Sequence, residues 1–325
     1  MSTTTASPTS SRTSLRDRLS GVDWRQNIIY IGFVVVFVFF AITLGSDGFL
    51  TPNNLLNILR QTATITVMAV AMTFVIASAE IDLSIGATAG LASVVTAMSL
   101  SRYGMVVGIA AGLAVGFTIG AINGALVSRL GIPSFLVTLG MLGVVSGVAM
   151  WITDSAPQPI LSDLFNNVFG SGNVGPIPIL FFWSATFVIV GWVVMRKTKY
   201  GRFVLATGGN RQAAEYTGIK TAKVKFWVLV ACSVAAAIAG MLYAGRLQSG
   251  RFQWGSGDEL SAIAAVILGG TSLFGGTGYI VGTMFGALLI GLINNGLILM
   301  GLDVSQQMIV RGAIIILAVA LARKK

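Results

Sequence analysis

The chain has 325 residues, 55% of them hydrophobic and only 10% charged, with a mean hydropathy of +0.85. A soluble globular domain needs roughly 25% charged residues to cover its surface, so this composition excludes one and gives most of the chain lipid as its solvent. With no His and one Cys (Cys232, inside an apolar run), the chain offers no disulfide framework and no thiolate or imidazole metal site, and its net charge of +10 lies in short loops between apolar runs, where it sets membrane orientation rather than nucleic-acid binding.

Residues 1–25 read as a disordered tail, since 1–20 are rich in Ser and Thr and carry Arg12, Arg16 and Arg18. The apolar run behind them is too long for a signal-peptide core and is followed by GSDGFLTPNN, not by a small-residue cleavage site, so it is expected to stay in the mature protein. Residues 26–325 read as one transmembrane domain. A bilayer core of about 30 Å takes roughly 20 uncharged helical residues, so the gaps between charges measure the spans. Arg25 to Asp47, Arg60 to Glu80, Asp82 to Arg102, Arg102 to Arg129, Arg129 to Asp154, Asp163 to Arg196 and Lys225 to Arg246 each admit one helix. Glu259 to Asp303 is uncharged over about twice a span, and the glycines of GGTSLFGGTGY (269–279) predict two spans joined by a turn. The last run, 305–322, contains Arg311, which is expected to snorkel or meet a backbone carbonyl. The expectation is an all-α polytopic membrane protein of about ten spans.

With the amino terminus inside, sixteen basic residues fall on cytoplasmic pieces, against Arg60, Arg102, Arg246 and Arg251 outside. That bias satisfies the positive-inside rule and places both termini in the cytoplasm. The glycines at 108, 112, 116, 120 and 124 recur every four positions and predict close helix packing, within one subunit in preference to a dimer seam. The outer loop at 154–176 is broken by prolines and carries two acids and no base, as suited to meeting a soluble binding protein as to serving as an inert cap.

Eight of the 21 basic residues crowd into the inner loop 196–225. Within it Asn210 suits an N-cap, Arg211 to Thr217 about two helical turns, and Gly218 a C′ stop. So short a helix cannot persist alone in water. It must rest on lipid headgroups, on its own loop or on a soluble partner, and residue physics leaves these open. Glu80 and Asp82 lie at the inner end of the second span; Asp82 before Leu83-Ser84 suits capping the third helix, with gating, subunit coupling or proton carriage as alternatives. The glycine turn is no phosphate loop, for the chain has no Gly-Lys pair, and no strand precedes it as a dinucleotide fold would need.

The segment GRFVLATGGNRQAAEYTGI (201–219) resembles the cytoplasmic loop of sugar-importing ABC permeases of the ribose/xylose class. NNLLNILRQTA (53–63), AEIDLSIG (79–86), IPSFLVTLGML (132–142) and ELSAIAAVILGGTSLFGGTGYIVGTMFGALLIGLINNGL (259–297) follow in that family's order, so the resemblance covers about residues 50–322. It implies that Gly209, Asn210, Arg211, Ala213, Ala214, Glu215, Tyr216 and Gly218 form a coupling helix that sits in a groove of a cytoplasmic ATPase. It also implies a second permease subunit (a homodimer), ATP and magnesium on that ATPase with no cofactor on this chain, an external sugar-binding protein, and the bacterial inner membrane. SAEIDLS looks more like xylose-type members, where many ribose-type members have Gly-Gly or Ser-Gly before IDLS; the long mid-chain insertion of xylose members is absent. A pentose, xylose or ribose, is favoured. A neutral, hydroxyl-rich sugar needs hydrogen-bonding groups without fixed charge, for which Thr62, Thr64, Thr66, Ser134, Thr138, Asn294 and Asn295 are candidates. Ser and Thr also bond to their own helix carbonyls, so the adjacent amides are the better pair. A proton- or sodium-coupled secondary transporter is the competing reading.

Overall fold

A computed structural model describes residues 24–322. Residues 1–23, most of the expected tail, and the basic residues at 323–325 lie outside the described residues, as does the side chain of Arg311. The elements run α1 (Trp24–Thr43), α2 (Pro52–Ala77), α3 (Ile85–Tyr103), α4 (Met105–Ser128), α5 (Ser134–Thr153), β1 (Gln158–Pro159), α6 (Asp163–Phe169), β2 (Asn173–Val174), β3 (Ile177–Pro178), α7 (Ile179–Lys197), α8 (Lys199–Gly209), α9 (Arg211–Tyr216), α10 (Thr221–Leu247), β4 (Ser249–Gly250), α11 (Asp258–Leu268), α12 (Ile280–Leu299) and α13 (Val304–Ala322). Among the described residues six helices are long and apolar enough to cross a membrane: α2, α4, α5, α7, α10 and α12.

Each charge-free stretch of the sequence holds a helix, but 259–303 departs from the two full spans expected there. Its first helix, α11, has 11 residues, about 16 Å, roughly half the bilayer core. The backbone says why: Gly255 and Gly257 just before it sit at φ +86° and +82°, a left-handed conformation that stops the helix from extending backward. Gly269 ends it at the other side as its C-cap. Absence of charge does not make the stretch helical throughout.

Burial divides the helices. α2, α10 and α12 are mostly enclosed, whereas only a minority of residues in α4, α5 and α7 are buried, and Val106, Phe117, Phe135, Leu136, Val144, Ile189 and Val190 are exposed. That is the outward face a lipid-solvated bundle presents. The glycine stripe of α4 meets helices of the same chain. A Cβ at Gly108 would press on Leu100 of α3; at Gly116 on the Ser233 carbonyl, at Gly120 on Val230 and at Gly124 on Phe226, all of α10. The stripe is filled from within the subunit, in line with the packing expectation, and is not left open as a seam. On the far side α1 packs its Tyr30 and Phe33 edge-to-face on Phe285 of α12, at ring distances of 4.8 and 5.7 Å.

The loop between α5 and α7 is anchored. β1 pairs antiparallel with β4, Gln158 opposite Gly250 and Pro159 opposite Ser249, and β2 with β3. Ser162 caps α6, accepting from the Phe165 N–H at 3.3 Å, and Phe165, Phe169 and Trp183 stack in series.

Two segments interrupt the helices, 78–84 and 251–257. The second packs on the start of α3, into which the first leads: a Cβ at Gly86 would collide with the Gly255 carbonyl and the Glu259 carboxylate, and one at Gly90 with the Phe252 carbonyl. Segment 78–84 is mostly buried and 251–257 exposed or half-buried except at Gly255; irregular backbone buried as in the first survives in a membrane protein only where protein groups satisfy it.

Candidate coupling site

The end of the bundle that carries α8 and α9 is built from local signals. Thr198 caps α8 by accepting from the Gly201 N–H at 3.3 Å. Its Lys199–Gly209 helix was missed by sequence reasoning, although that Thr and the spaced apolar Phe203, Val204 and Ala206 were the signal. Asn210 caps α9, its Oδ1 accepting from the Ala213 N–H at 3.0 Å. Gly218, at φ +86°, closes it: its N–H donates to the Glu215 carbonyl at 2.9 Å, and the Ile219 N–H to the Ala214 carbonyl at 3.0 Å. Those two bonds are a Schellman closure, which needs the left-handed residue that Gly218 supplies.

The helix so closed stands out from the bundle. Ala214 is 4% exposed, while Tyr216 is 91% exposed and Gly209, Asn210, Arg211, Ala213 and Glu215 are all exposed. Arg211 Nε pairs with Glu215 Oε1 at 2.9 Å, and the same oxygen accepts from Thr221 Oγ1 at 2.6 Å. The Thr221 hydroxyl first, then Arg211, holds the Glu215 carboxyl below its ordinary value. The bond to Thr221 fixes α9 to the first residue of α10.

Behind α9, three stretches of backbone meet. A Cβ at Gly208 would collide with the Ala77 carbonyl, and one at Gly275 (φ +83°) would lie 2.6 Å from the Gly208 carbonyl. The Gly276 N–H donates to the Ala77 carbonyl at 3.0 Å. So the glycine turn of 269–278 serves close approach: it lets the α11–α12 connection, the end of α2 and the residues leading into α9 touch without side chains between them. Arg196 lies over the Tyr279 ring at 5.4 Å beside them.

α2 ends at the same place. Ala79, a non-glycine residue at φ +62°, takes the left-handed position, its N–H donating to Ile76 O at 2.9 Å and that of Glu80 to Val75 O at 3.0 Å. The Glu80 carboxylate forms an ion pair with Lys225 of α10. Sequence reasoning singled out Glu80 but not Lys225, because residues so far apart in the chain leave no periodic signal. Asp82 is fully buried, and its Oδ1 accepts from the Ser84 N–H at 2.9 Å and the Ser84 hydroxyl at 2.6 Å. Ser84 in turn accepts from Asn123 Nδ2 of α4 at 2.9 Å. Ser84 therefore holds the N-cap position of α3, and Asp82 turns the chain into it from two residues before, where a direct cap by Asp82 was expected.

The residues expected along a sugar route divide three ways. Ser134 and Thr138 of α5 face segment 78–84: Ser134 Oγ accepts from the Ile81 N–H and Thr138 Oγ1 from the Leu83 N–H, both at 3.0 Å. They supply what the broken helix lacks. Thr62 and Thr66 donate to carbonyls of their own helix, Ile58 and Thr62, at 2.9 and 2.8 Å, while Thr64 is fully buried on the same helix. Asn295 exchanges two amide bonds with Asn54, at 3.0 and 2.9 Å, beside the half-buried Asn294, at the opposite end of α2 from Glu80. Ser134 thus stands by the Ala77 end of α2 and Asn295 by its Asn54 end.

Residues 54–319 match the family described as branched-chain amino acid transport system / permease component. The chain is 40% identical over 285 residues to the ribose import permease protein of Escherichia coli strain K12, covering 86% of this chain and 88% of that one. It is 41% identical over 298 residues to the ribose import permease protein of Bacillus subtilis strain 168, covering 91% and 92%. To the L-arabinose ABC transporter permease protein of Azospirillum brasilense it is 34% identical over 308 residues, covering 93% and 89%. No solved structure matches the chain.

Proposed function

The chain belongs to that permease-component family, and from this premise we propose that it is the membrane-spanning subunit of an ATP-binding-cassette importer that carries a monosaccharide of the ribose class into a bacterial cell. Like relatives named as permeases, it is a transport subunit and not an enzyme. The ribose import permeases of Escherichia coli and Bacillus subtilis favour ribose among pentoses over the xylose that the SAEIDLS wording at 78–84 suggests.

The observation that carries this reading is α9: six residues closed at both ends by their own caps, with one face barely buried and Tyr216 free. A helix that short and that exposed is a peg awaiting a groove. We place loop 196–225 and both termini in the cytoplasm, loop 154–176 outside, about ten segments in the inner membrane, and α9 in a groove of a separate ATPase that holds ATP and magnesium. A second copy of this permease completes the route, and an external binding protein delivers the sugar. Closure of the ATPase pair on ATP shifts α9, and the bundle passes between inward-open and outward-open forms around the interrupted segments 78–84 and 251–257. A carrier driven by protons or sodium would need ionisable relays within the spans; here Glu80 is paired with Lys225, and Asp82 is held by Ser84.

Uptake of labelled ribose into energised vesicles that survives an uncoupler and stops when ATP is withdrawn is the expected result. Uptake that collapses with the uncoupler while ATP is present would contradict it.

A further inference from the structure

Both ends of α9 lead to the same few residues at the end of α2, Ala77 to Glu80. Its amino-terminal side runs through Gly208 and Gly209 onto Ala77 and Gly276, in backbone contact. Its carboxyl-terminal side runs through Glu215 to Thr221, and one turn along α10 from Thr221 stands Lys225, paired with Glu80. The chain leaves helical form after Ala77, and in 81–84 the Ile81 and Leu83 N–H groups are held by Ser134 and Thr138 of α5 while Asn123 of α4 donates to the Ser84 hydroxyl. A segment whose bonds come from side chains of two other helices can exchange them for others more readily than an intact helix can.

The backbone contact at Ala77 fixes where α2 ends, but it carries no charge and tolerates sliding. The ion pair is different. The Lys225 and Glu80 side chains are 15% and 8% exposed, so separating them leaves two ions without partners in a poorly solvated place. Such a contact transmits displacement in place of absorbing it. We infer that the Glu80–Lys225 ion pair is the positioning contact through which movement of α9 and the start of α10 reaches the interrupted segment 78–84. This rests on the reading of α9 as the helix that meets the ATPase, and it adds Lys225 to the residues on which coupling depends.

The test uses the complete importer, permease with its ATPase and binding protein, in liposomes, with Glu80→Gln, Lys225→Gln and the exchanged pair Glu80→Lys with Lys225→Glu. Three quantities are read from each: ATPase retained on the purified permease, ATP hydrolysed, and labelled ribose taken up. Each single variant is expected to retain its ATPase yet lose about tenfold or more in uptake per ATP hydrolysed, and the exchanged pair to recover to within about threefold of the starting protein. Should the unaltered importer assemble and hydrolyse ATP but carry no ribose, the sugar assignment falls and the pair is judged on binding-protein-stimulated hydrolysis, with the same loss and recovery expected. An unaltered permease that holds no ATPase removes the reading of α9, and this inference with it. Three results overturn the inference alone: single variants with unchanged uptake per ATP, an exchanged pair no better than either single variant, or single variants that lower folded protein and uptake in proportion, which would make the pair a folding contact only.

Discussion

Residues 210–219 and residues 78–84 solve the same problem in opposite ways. Each is a short stretch that cannot satisfy its backbone with a long helix. The first does so locally, with Asn210 at one end and Gly218 at the other, and shows its surface to solvent. The second is mostly buried and borrows its bonds from Ser134 and Thr138, more than fifty positions away. Local closure makes a peg that another molecule can grip without unfolding it; borrowed closure makes a segment that can be re-bonded as the bundle moves.

The largest effect separating the two is expected at the peg. Gly218→Pro cannot hold φ +86° or donate to Glu215, and Glu215→Arg loses both Arg211 and Thr221. Either variant is expected to lower ribose uptake by about tenfold or more, with the permease still monodisperse on size exclusion, because α9 contributes almost nothing to the core. Undiminished uptake in both would remove the peg from the mechanism.

Next comes the borrowed closure. Ser134→Ala and Thr138→Val each leave a backbone N–H of 81 or 83 without its partner, a loss of about 1–3 kcal/mol, seen as a lowered melting temperature in detergent. Thr66→Val is the control, since its hydroxyl only doubles a carbonyl already bonded within its helix, and a change under about 0.5 kcal/mol is expected. Equal effects at Thr138 and Thr66 would mean that segment 78–84 takes no support from α5.

The smallest effect lies within the second region, where it turns out of α2. Ala79 holds a left-handed position that costs an L-residue about 1–2 kcal/mol. Ala79→Gly is expected to raise stability by about 1 kcal/mol or less, since glycine is also freer in the unfolded chain. A fall in melting temperature would show that the Ala79 methyl group supports the glycine turn at Gly275.

The sequence disclosed these regions unequally, for the same reason. Caps act over three or four residues, so Asn210 and Gly218 could be read directly, and charge gaps located a helix in every apolar stretch. What charge cannot report is whether an uncharged stretch is helical, which is why a full span is expected where the short α11 and its flanking glycines stand. Pairings across the bundle, Glu80 with Lys225, Asn54 with Asn295 and Thr138 with Leu83, depend on which helices become neighbours, and no local pattern encodes that. Thr62, Thr66, Ser134 and Thr138, expected along a sugar route, also bond to helix carbonyls or to the interrupted backbone, partners that only the structure makes visible.

The central claim, that α9 meets the ATPase, is tested most directly by placing a cysteine at its most exposed residue. In membranes holding the assembled importer, Tyr216→Cys is expected to crosslink to the ATPase subunit through a short thiol reagent, the native Cys232 being buried and silent. A cysteine at 216 that reacts instead with a lipid-borne reagent, or with an impermeant reagent added from outside intact cells, would contradict the account.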